Sequence, residues 1–308
     1  MNYFDLHCDT PFELFHKGKH LSGDGTHITA GKVSRFGKYA QVFDIWSQRI
    51  LTDDEAYARF FEIYDNFMRE LSETPEFAFC RTYADLEKAE RDGKHAAFLG
   101  VEGANLLGGN IKRLDELAAH GVRFLTLTWS GESVIGGAHG TDKGLTDFGR
   151  DVISRAGELG IIVDVSHGSD KLMGEAVELC AGKTPAIATH SNSRFCADHP
   201  RNLTDELAKR ICECGGIIGV SMCDIHLKAG GGSDTSDVIR HLCHYLDLGL
   251  EKHICFGGDF DGTDLPTGMT DISSMEKVVC AARSAGIDEK TLDDVLYGNA
   301  RAYFEKYL

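Results

Sequence analysis

Hydrophobic residues along the chain fall into short runs that alternate with longer stretches of helical periodicity. Most of the runs are nearly continuous in apolar character, which is typical of parallel strands that helices cover on both faces. The pattern therefore predicts eight strands, which cover Tyr3 to His7, Tyr39 to Trp46, Ala96 to Val101, Arg123 to Trp129, Ile161 to Ser166, Ala186 to His190, Ile217 to Met222 and Ile254 to Gly258.

Helices are predicted in six of the stretches between these runs. Thr204 is a suitable N-cap, and the acidic residues that follow it favour the positive end of a helix dipole. Glycines lie where four of the helices should end. The six helices cover Asp53 to Leu71, Ile111 to Ala119, Thr146 to Leu159, Ser169 to Cys180, Thr204 to Cys214 and Ser236 to Leu248.

This alternation of strands and helices predicts a single α/β domain over residues 1–308, a closed (β/α)8 barrel. A doubly wound open sheet gives the same alternation and is the competing fold. However, no G-x-G-x-x-G sequence follows the first strand, which instead continues into His7, Cys8 and Asp9. The barrel is therefore the favoured fold.

Composition and charge narrow the functional classes. The chain has 308 residues, with 48 acidic and 32 basic side chains and a formal net charge of −16. Nucleic acid is disfavoured as a partner, because phosphate binding needs a basic surface.

Neither a signal peptide nor a run of about 18 apolar residues is evident. Ten scattered cysteines are typical of reduced thiols, so we expect a cytoplasmic protein that does not contact a membrane.

Polar residues stand at the carboxyl ends of the predicted strands. In a barrel these ends meet at one mouth, so residues roughly 250 positions apart become neighbours. Imidazole and carboxylate groups together suit a divalent transition metal, above all zinc. The residues concerned are His7, Asp9, Glu102, His167, His190 and Asp259.

Each of these motifs has an ordinary structural interpretation as well. His7 and Asp9 could be a satisfied pair at a strand end, and Glu102 before a glycine could be solvated in a turn. A single histidine at a strand end would be interpreted as a core residue, but His167 and His190 end two successive predicted units. The carboxylate of Glu102 directly follows an apolar run, where it would be costly without a cation.

The chain resembles the membrane dipeptidase (renal dipeptidase) family of the amidohydrolase superfamily, in the form of a bacterial-type cytosolic member. The resemblance covers essentially the whole length, and the ordered set of motifs is much more specific than any one of them. The motifs are Asp5-Leu6-His7-Cys8-Asp9, Phe98-Leu99-Gly100-Val101-Glu102-Gly103, Asp164-Val165-Ser166-His167, Thr189-His190-Ser191-Asn192-Ser193-Arg194, His199-Pro200-Arg201-Asn202-Leu203, Gly257-Gly258-Asp259-Phe260-Asp261-Gly262 and Tyr297-Gly298-Asn299.

The resemblance implies a zinc-dependent dipeptidase with two zinc ions, which hydrolyses dipeptides through a metal-bridging hydroxide. It implies that His7 and Asp9 bind one ion, that His167 and His190 bind the other, and that Glu102 bridges the two. Asp259 matches the acid and base residue of the family. A guanidinium is the natural partner of a substrate carboxylate, a role that Arg201 matches and Arg194 could also fill.

One position departs from the family pattern. Members like the renal enzyme have a histidine at the end of the fourth strand, where this chain has Trp129. An indole N–H can contact a substrate but carries no switchable charge. His139, in a glycine-rich loop, could replace the missing histidine or could be a solvated loop residue. The departure concerns the recognition of substrate and not the metal ligands.

Three alternatives to the dipeptidase remain open. The first keeps the two zinc ions but acts on another small substrate, such as an N-acyl amino acid or a lactone. The second is an inactive binding barrel whose mouth Trp129 fills. The third is a metal-dependent nuclease barrel, which the net charge disfavours. The family also suggests a homodimer, for which the sequence shows no surface signal.

Overall fold

A computed structural model of the chain describes residues 1–47 and 50–308. The described residues form eight parallel strands in one curled sheet with the order β6-β5-β4-β2-β1-β8-β7, and β3 pairs with β4. The strands are β1 (Tyr3–Cys8), β2 (Tyr39–Trp46), β3 (Phe77–Phe79), β4 (His95–Glu102), β5 (Val122–Thr126), β6 (Ile162–Asp164), β7 (Ile218–Val220) and β8 (Ile254–Phe256).

Helices surround this sheet. The α-helices are α1 (Thr10–Lys17), α2 (Ala30–Val33), α3 (Asp53–Glu73), α4 (Tyr83–Arg91), α5 (Lys112–Ala119), α6 (Asp147–Leu159), α7 (Asp170–Cys180), α8 (Asp205–Glu213), α9 (Asp224–Leu227), α10 (Thr235–Asp247), α11 (Met275–Ser284), α12 (Glu289–Asp293) and α13 (Asn299–Tyr307). A larger hydrophobic cluster fills the space between the sheet and the helices. The predicted (β/α)8 architecture is confirmed.

The predicted sixth strand, 186–190, is reduced to two isolated parallel bridges, in which Ile187 pairs with Asp164 and Ala188 pairs with Ile218. These bridges connect β6 to β7 and so complete the barrel. The segment leaves the ladder because the backbone N–H of Thr189 donates to the side chain of Asp164, at 2.9 Å, instead of to a strand carbonyl.

Several regular elements lie where the hydrophobic pattern predicts none. The strand β3 pairs with the first half of β4, on the edge that β5 occupies further along. The helices α1, α2, α4, α9, α11, α12 and α13 are also unpredicted. Most of these segments are short, and a short segment carries little periodicity for a pattern to reveal.

The inner face of the barrel changes from apolar at its base to polar at its mouth. On β4 the inward positions run from Phe98 through Gly100 to Glu102, because alternate residues of a strand share a face. Phe304 of α13 closes the base, with its ring 4.6 Å from that of Phe4 and 5.2 Å from those of Phe98 and Phe124. The polar end of the barrel is therefore the end available for a ligand.

None of the helices in the described residues is both long and apolar enough to cross a membrane. All ten cysteines lie in the described part of the chain, and all are free thiols.

Candidate metal centre

Three histidine side chains converge on a single carboxylate oxygen at the mouth of the barrel. The Nε2 atoms of His167, His190 and His7 lie 2.8, 3.3 and 3.6 Å from Oε1 of Glu102. The four side chains are almost entirely buried. The structure thus brings together four of the predicted ligands, as a barrel requires. They are His7, Glu102, His167 and His190.

A bulge in β1 turns His7 toward this centre. The pairing of β1 with β2 shifts by one residue between Asp5 and Cys8. The buried carboxylate of Asp5 supports the bulge by accepting the backbone N–H groups of His7 and Gly258, each at 3.0 Å. Cys8 packs in the core cluster, as expected for a thiol between two ligand positions.

Two of the three imidazoles are oriented by a hydrogen bond through their other nitrogen, and the third has a carboxylate beside that nitrogen. Nδ1 of His167 donates to the carbonyl oxygen of Trp129 at 3.0 Å, and Nδ1 of His190 donates to the hydroxyl of Thr189 at 2.8 Å. Nδ1 of His7 lies 3.1 Å from Oδ2 of Asp44. Because the acceptors of His167 and His190 hold the proton on Nδ1, the Nε2 lone pairs of these two rings point toward Glu102.

The lone pairs at the centre lack positive partners within the described chain. Nε2 of His167 and Nε2 of His190 lie 2.9 Å apart, and both are acceptors in the tautomers that their partners select. Nε2 of His7 and Oδ1 of Asp9 are buried without a hydrogen-bond partner. A cluster of unpaired acceptors is costly to bury, and divalent cations would satisfy it, so the residues fit a metal centre.

The ionisation of His167 and His190 supports this arrangement. Burial lowers the pKa of His167 and of His190 well below the ordinary value, so both stay neutral as metal binding requires. Burial also disfavours the charge of His7, but the carboxylates of Asp44 and Glu102 outweigh it and raise the pKa of His7.

Asp259 lies beside this group, where the chain leaves β8. One ligand atom each from His7, Asp9 and Asp259 lie within 4.8 Å of one another. The backbone of Asp259 has a positive φ of 58°, and that of His167 has 69°. Such conformations are unfavourable for residues other than glycine and are often found at functional sites. Burial, as the largest cause, raises the pKa of Asp259 to about 7.

A cavity of about 450 Å³ opens above the centre. The guanidinium of Arg201 lines it, although the residue is only 3% exposed. Its terminal nitrogens donate to Oγ of Ser191 at 3.3 Å and to the carbonyl of His190 at 3.1 Å, whereas Nε has no partner. Arg201 is therefore a buried cation at the cavity wall, and its Nε has no partner in the described chain.

Arg194 is not brought to this cavity. Its two terminal nitrogens each donate to Asp170 at 2.7 Å, and its Nε donates to the carbonyl of Asn202 at 2.9 Å. The side chain is thus fully engaged on the outer side of the loop. Of the two arginines predicted to bind substrate, Arg201 lines the cavity and Arg194 does not.

The side chain of Trp129 lines the cavity, and its ring lies 5.1 Å from that of Trp46. His139 also reaches the cavity wall, where burial and the nearby Arg201 lower its pKa to about 4. Its Nδ1 lies 3.3 Å from the carbonyl oxygen of His167, which leaves Nε2 as an acceptor when the ring is neutral. His139 is therefore a cavity residue, although its sequence context also suits a solvated loop.

Several residues of the site escape sequence analysis. Asp44 lies within a predicted strand, and only strict alternation with the inward-facing Val42 indicates that it points to the mouth. His226 lines the cavity with a pKa that burial lowers to about 2, and no motif marks it.

The fold and the site define the class of the protein, a (β/α)8 barrel of the metal-dependent hydrolases. The sequence model of the membrane dipeptidase family, peptidase family M19, matches residues 1–306. The chain belongs to this family and is a metallopeptidase of the dipeptidase type.

Two relatives are similar to the chain in sequence. An uncharacterised protein from the pqqA 5′ region of Klebsiella pneumoniae is 32% identical over 232 residues, which are 71% of this chain and 85% of the relative. An uncharacterised dipeptidase of Schizosaccharomyces pombe is 31% identical over 65% of this chain and 50% of its own length.

Two solved structures have closely similar folds. A metallopeptidase from Rhodobacter sphaeroides, liganded with a phosphinate mimic of the dipeptide L-Ala-D-Ala, superimposes with a TM-score of 0.93 and 25% identity. The match covers 100% of this chain and 99% of that chain. The metallopeptidase dipeptidase AC gives a TM-score of 0.92 with the same identity and the same coverage.

Proposed function

We propose that this chain is a zinc-dependent dipeptidase with a binuclear centre. In this proposal His7 and Asp9 hold one zinc ion, His167 and His190 hold the other, and Glu102 lies between them. The observation that carries the proposal is the convergence of three Nε2 atoms on one oxygen of Glu102. Two of these nitrogens lie so close together that a cation is the natural partner of both.

The chemistry of amide hydrolysis then divides between the metals and the chain. Two zinc ions, when bound, would lower the pKa of a water molecule and polarise the scissile carbonyl. Asp259 would accept the proton of the attacking water and return it to the leaving amine. Its position beside Asp9 supports this role, as does a pKa raised to about 7, since an acid and base catalyst works best near the ambient pH.

Arg201 would bind the terminal carboxylate of the dipeptide. Its guanidinium faces the cavity, and its Nε lacks a partner in the described chain. A buried cation with a free donor favours an anionic ligand, and a planar guanidinium suits a carboxylate. The negative net charge of the molecule would not attract such a substrate, so recognition must be local.

The opposite wall of the cavity would position the rest of the substrate. Trp129 follows β5 and Trp46 ends β2, on either side of Glu102 at the end of β4. Arg201 instead follows the bridged segment between β6 and β7. A dipeptide can therefore extend from Arg201 across the centre to the ring of Trp129.

A substrate panel with zinc-loaded protein tests this proposal. The panel contains L,L- and L,D-dipeptides, the same dipeptides with amidated carboxyl ends, N-acetyl amino acids and a lactone. We expect turnover of free dipeptides and little turnover of the amidated ones. Turnover of an N-acetyl amino acid or lactone without any dipeptide would contradict the dipeptidase and favour the other small substrates.

The zinc-loaded protein also tests the alternative of an inactive binding barrel. A protein that binds zinc stoichiometrically and turns over nothing would be a binding barrel. We also propose a cytoplasmic location, supported by ten free thiols, and a homodimer, supported by family membership. Sedimentation of the purified protein measures the second of these.

A further inference from the structure

A layer of buried polar residues lies directly beneath the metal centre. Asp44 on β2 is 1% exposed and Asp164 on β6 is fully buried, and both face the interior of the barrel. In many metal sites such groups orient the ligands and set their basicity, and their loss weakens metal binding. The two halves of the proposed centre differ in what this layer offers them.

His7 faces a carboxylate directly. Its Nδ1 lies 3.1 Å from Oδ2 of Asp44, within ion-pair distance, and neither atom has a hydrogen-bond partner in the described chain. The carboxylate fits only because position 100 is glycine. A Cβ at Gly100 would lie 2.0 Å from Oδ1 of Asp44. The chain thus reserves space for a negative charge against the first ligand.

The histidines of the other half meet neutral groups instead. His190 contacts the hydroxyl of Thr189, which in turn donates to Asp164 at 2.7 Å. His167 contacts the backbone carbonyl of Trp129. The charge of Asp164 is shared among other donors, including the hydroxyl of Thr126 at 2.6 Å, so it acts on His190 only through an intermediate.

Formal charges reinforce the difference. Beyond the shared Glu102, the His7 half has the carboxylates of Asp9, Asp44 and Asp259 close by. The His190 half instead has the guanidinium of Arg201, which donates to the backbone carbonyl of His190 at 3.1 Å. Carboxylates attract a divalent cation and a guanidinium repels it. The His7 half therefore offers the more attractive electrostatic field for a metal ion.

We propose that Asp44 is a positioning residue for His7 and that it makes the His7–Asp9 half the tighter of the two sites, so that the centre fills in a fixed order. The inference rests on the proposed binuclear centre and goes beyond it. It concerns metal affinity alone and requires no peptide hydrolysis.

The experiment is a zinc titration of metal-depleted protein against a chromophoric chelator, repeated with cobalt and read by its visible absorption. The wild type should bind two ions in two steps. His167→Ala should keep the first step at wild-type affinity and lose the second, whereas His7→Ala should lose the first. The reverse pattern would overturn the proposed order.

Asp44→Asn isolates the charge, because an amide keeps nearly the same shape. We expect it to weaken the first step by roughly 10- to 100-fold and to leave the second within about twofold. Thr189→Val is the matched control and should weaken only the second step. If Asp44→Asn weakens both steps equally, or neither, the proposal is wrong.

Gly100→Ala provides a second variant that perturbs the same contact without altering a polar group. It should reproduce the effect of Asp44→Asn on the first step, and thermal unfolding of the metal-depleted proteins checks that both variants fold. A chain that fills in order but cleaves no dipeptide would contradict the proposed function only. A chain that cleaves dipeptides with two equal sites would contradict only the inference.

Discussion

The backbone carbonyl of Trp129 lies 3.0 Å from Nδ1 of His167, so this tryptophan supports a proposed zinc ligand with its main chain while its ring lines the cavity. A backbone contact does not depend on the identity of the side chain. The departure from the family pattern at this position therefore concerns the substrate and leaves the metal centre intact.

Replacing Trp129 with leucine should accordingly spare the metal and impair substrate binding. An aromatic contact contributes about 0.5 to 1.5 kcal/mol, so we expect KM to rise roughly 2- to 12-fold. Zinc content measured by atomic emission should remain at the wild-type value. Loss of zinc from this variant would show that the ring itself supports the centre.

Arg201→Met should reduce kcat/KM for dipeptides with a free carboxylate. A hydrogen bond to a charged group contributes about 1.5 to 3 kcal/mol, which corresponds to roughly 10- to 150-fold. Amidated dipeptides should be equally poor substrates of the wild type and the variant. Arg194→Met is the control, because Arg194 pairs with Asp170 outside the cavity, and its kinetics should stay within about twofold of the wild type.

Asp259 should govern the acidic side of the pH profile. Burial raises its pKa to about 7, and only the ionised carboxylate can accept a proton, so kcat/KM should fall as the pH decreases through the pKa. Bound cations favour the ionised form, which places the midpoint at or below about 7.

Replacing Asp259 with asparagine tests the assignment of this titration. It should reduce kcat roughly 100- to 10,000-fold and remove the acidic limb, while zinc binding persists. An unchanged limb in the residual activity of the variant would assign the titration to another group.

Gly262 should prove necessary for the site, because a Cβ there would lie 2.0 Å from Oδ2 of Asp9 and 2.5 Å from Oδ1 of Asp259. Gly262→Ala should therefore weaken zinc binding at least roughly tenfold and lower activity with it. Gly157→Ala in α6 is the matched control, since nothing lies within 4 Å of its added methyl group. Alanine at position 157 should bind zinc normally and stabilise the fold by up to about 1 kcal/mol.

Strand-end polar residues predict most of the side chains that the structure brings together at the mouth of the barrel. His7, Glu102, His167 and His190 stand where apolar runs stop, and a barrel brings such positions together. The alternation of strands and helices likewise predicts the architecture, although Ala186 to His190 forms only bridges. This segment leaves the strand ladder because Thr189 bonds to the side chain of Asp164 on a neighbouring strand. The hydrophobic pattern of the segment itself does not contain that contact.

The supporting residues could not be found in the same way. Asp44 lies in a run that is mostly buried and apolar, and its role depends on Gly100 from another strand. Similarly, Arg194 differs from Arg201 in its role because it pairs with Asp170 outside the cavity. Both distinctions arise from contacts between segments that are far apart in the sequence.

The ring of Phe304 also has a consequence for how the chain folds. Phe4 belongs to the first strand and meets Phe304 only in the last helix, about 300 residues later, so the base of the barrel stays open to water until α13 has been synthesised and docks. Contacts of such long sequence separation form slowly. An incomplete barrel would therefore persist during synthesis with its inner phenylalanines exposed, as a target for chaperones and a source of aggregation.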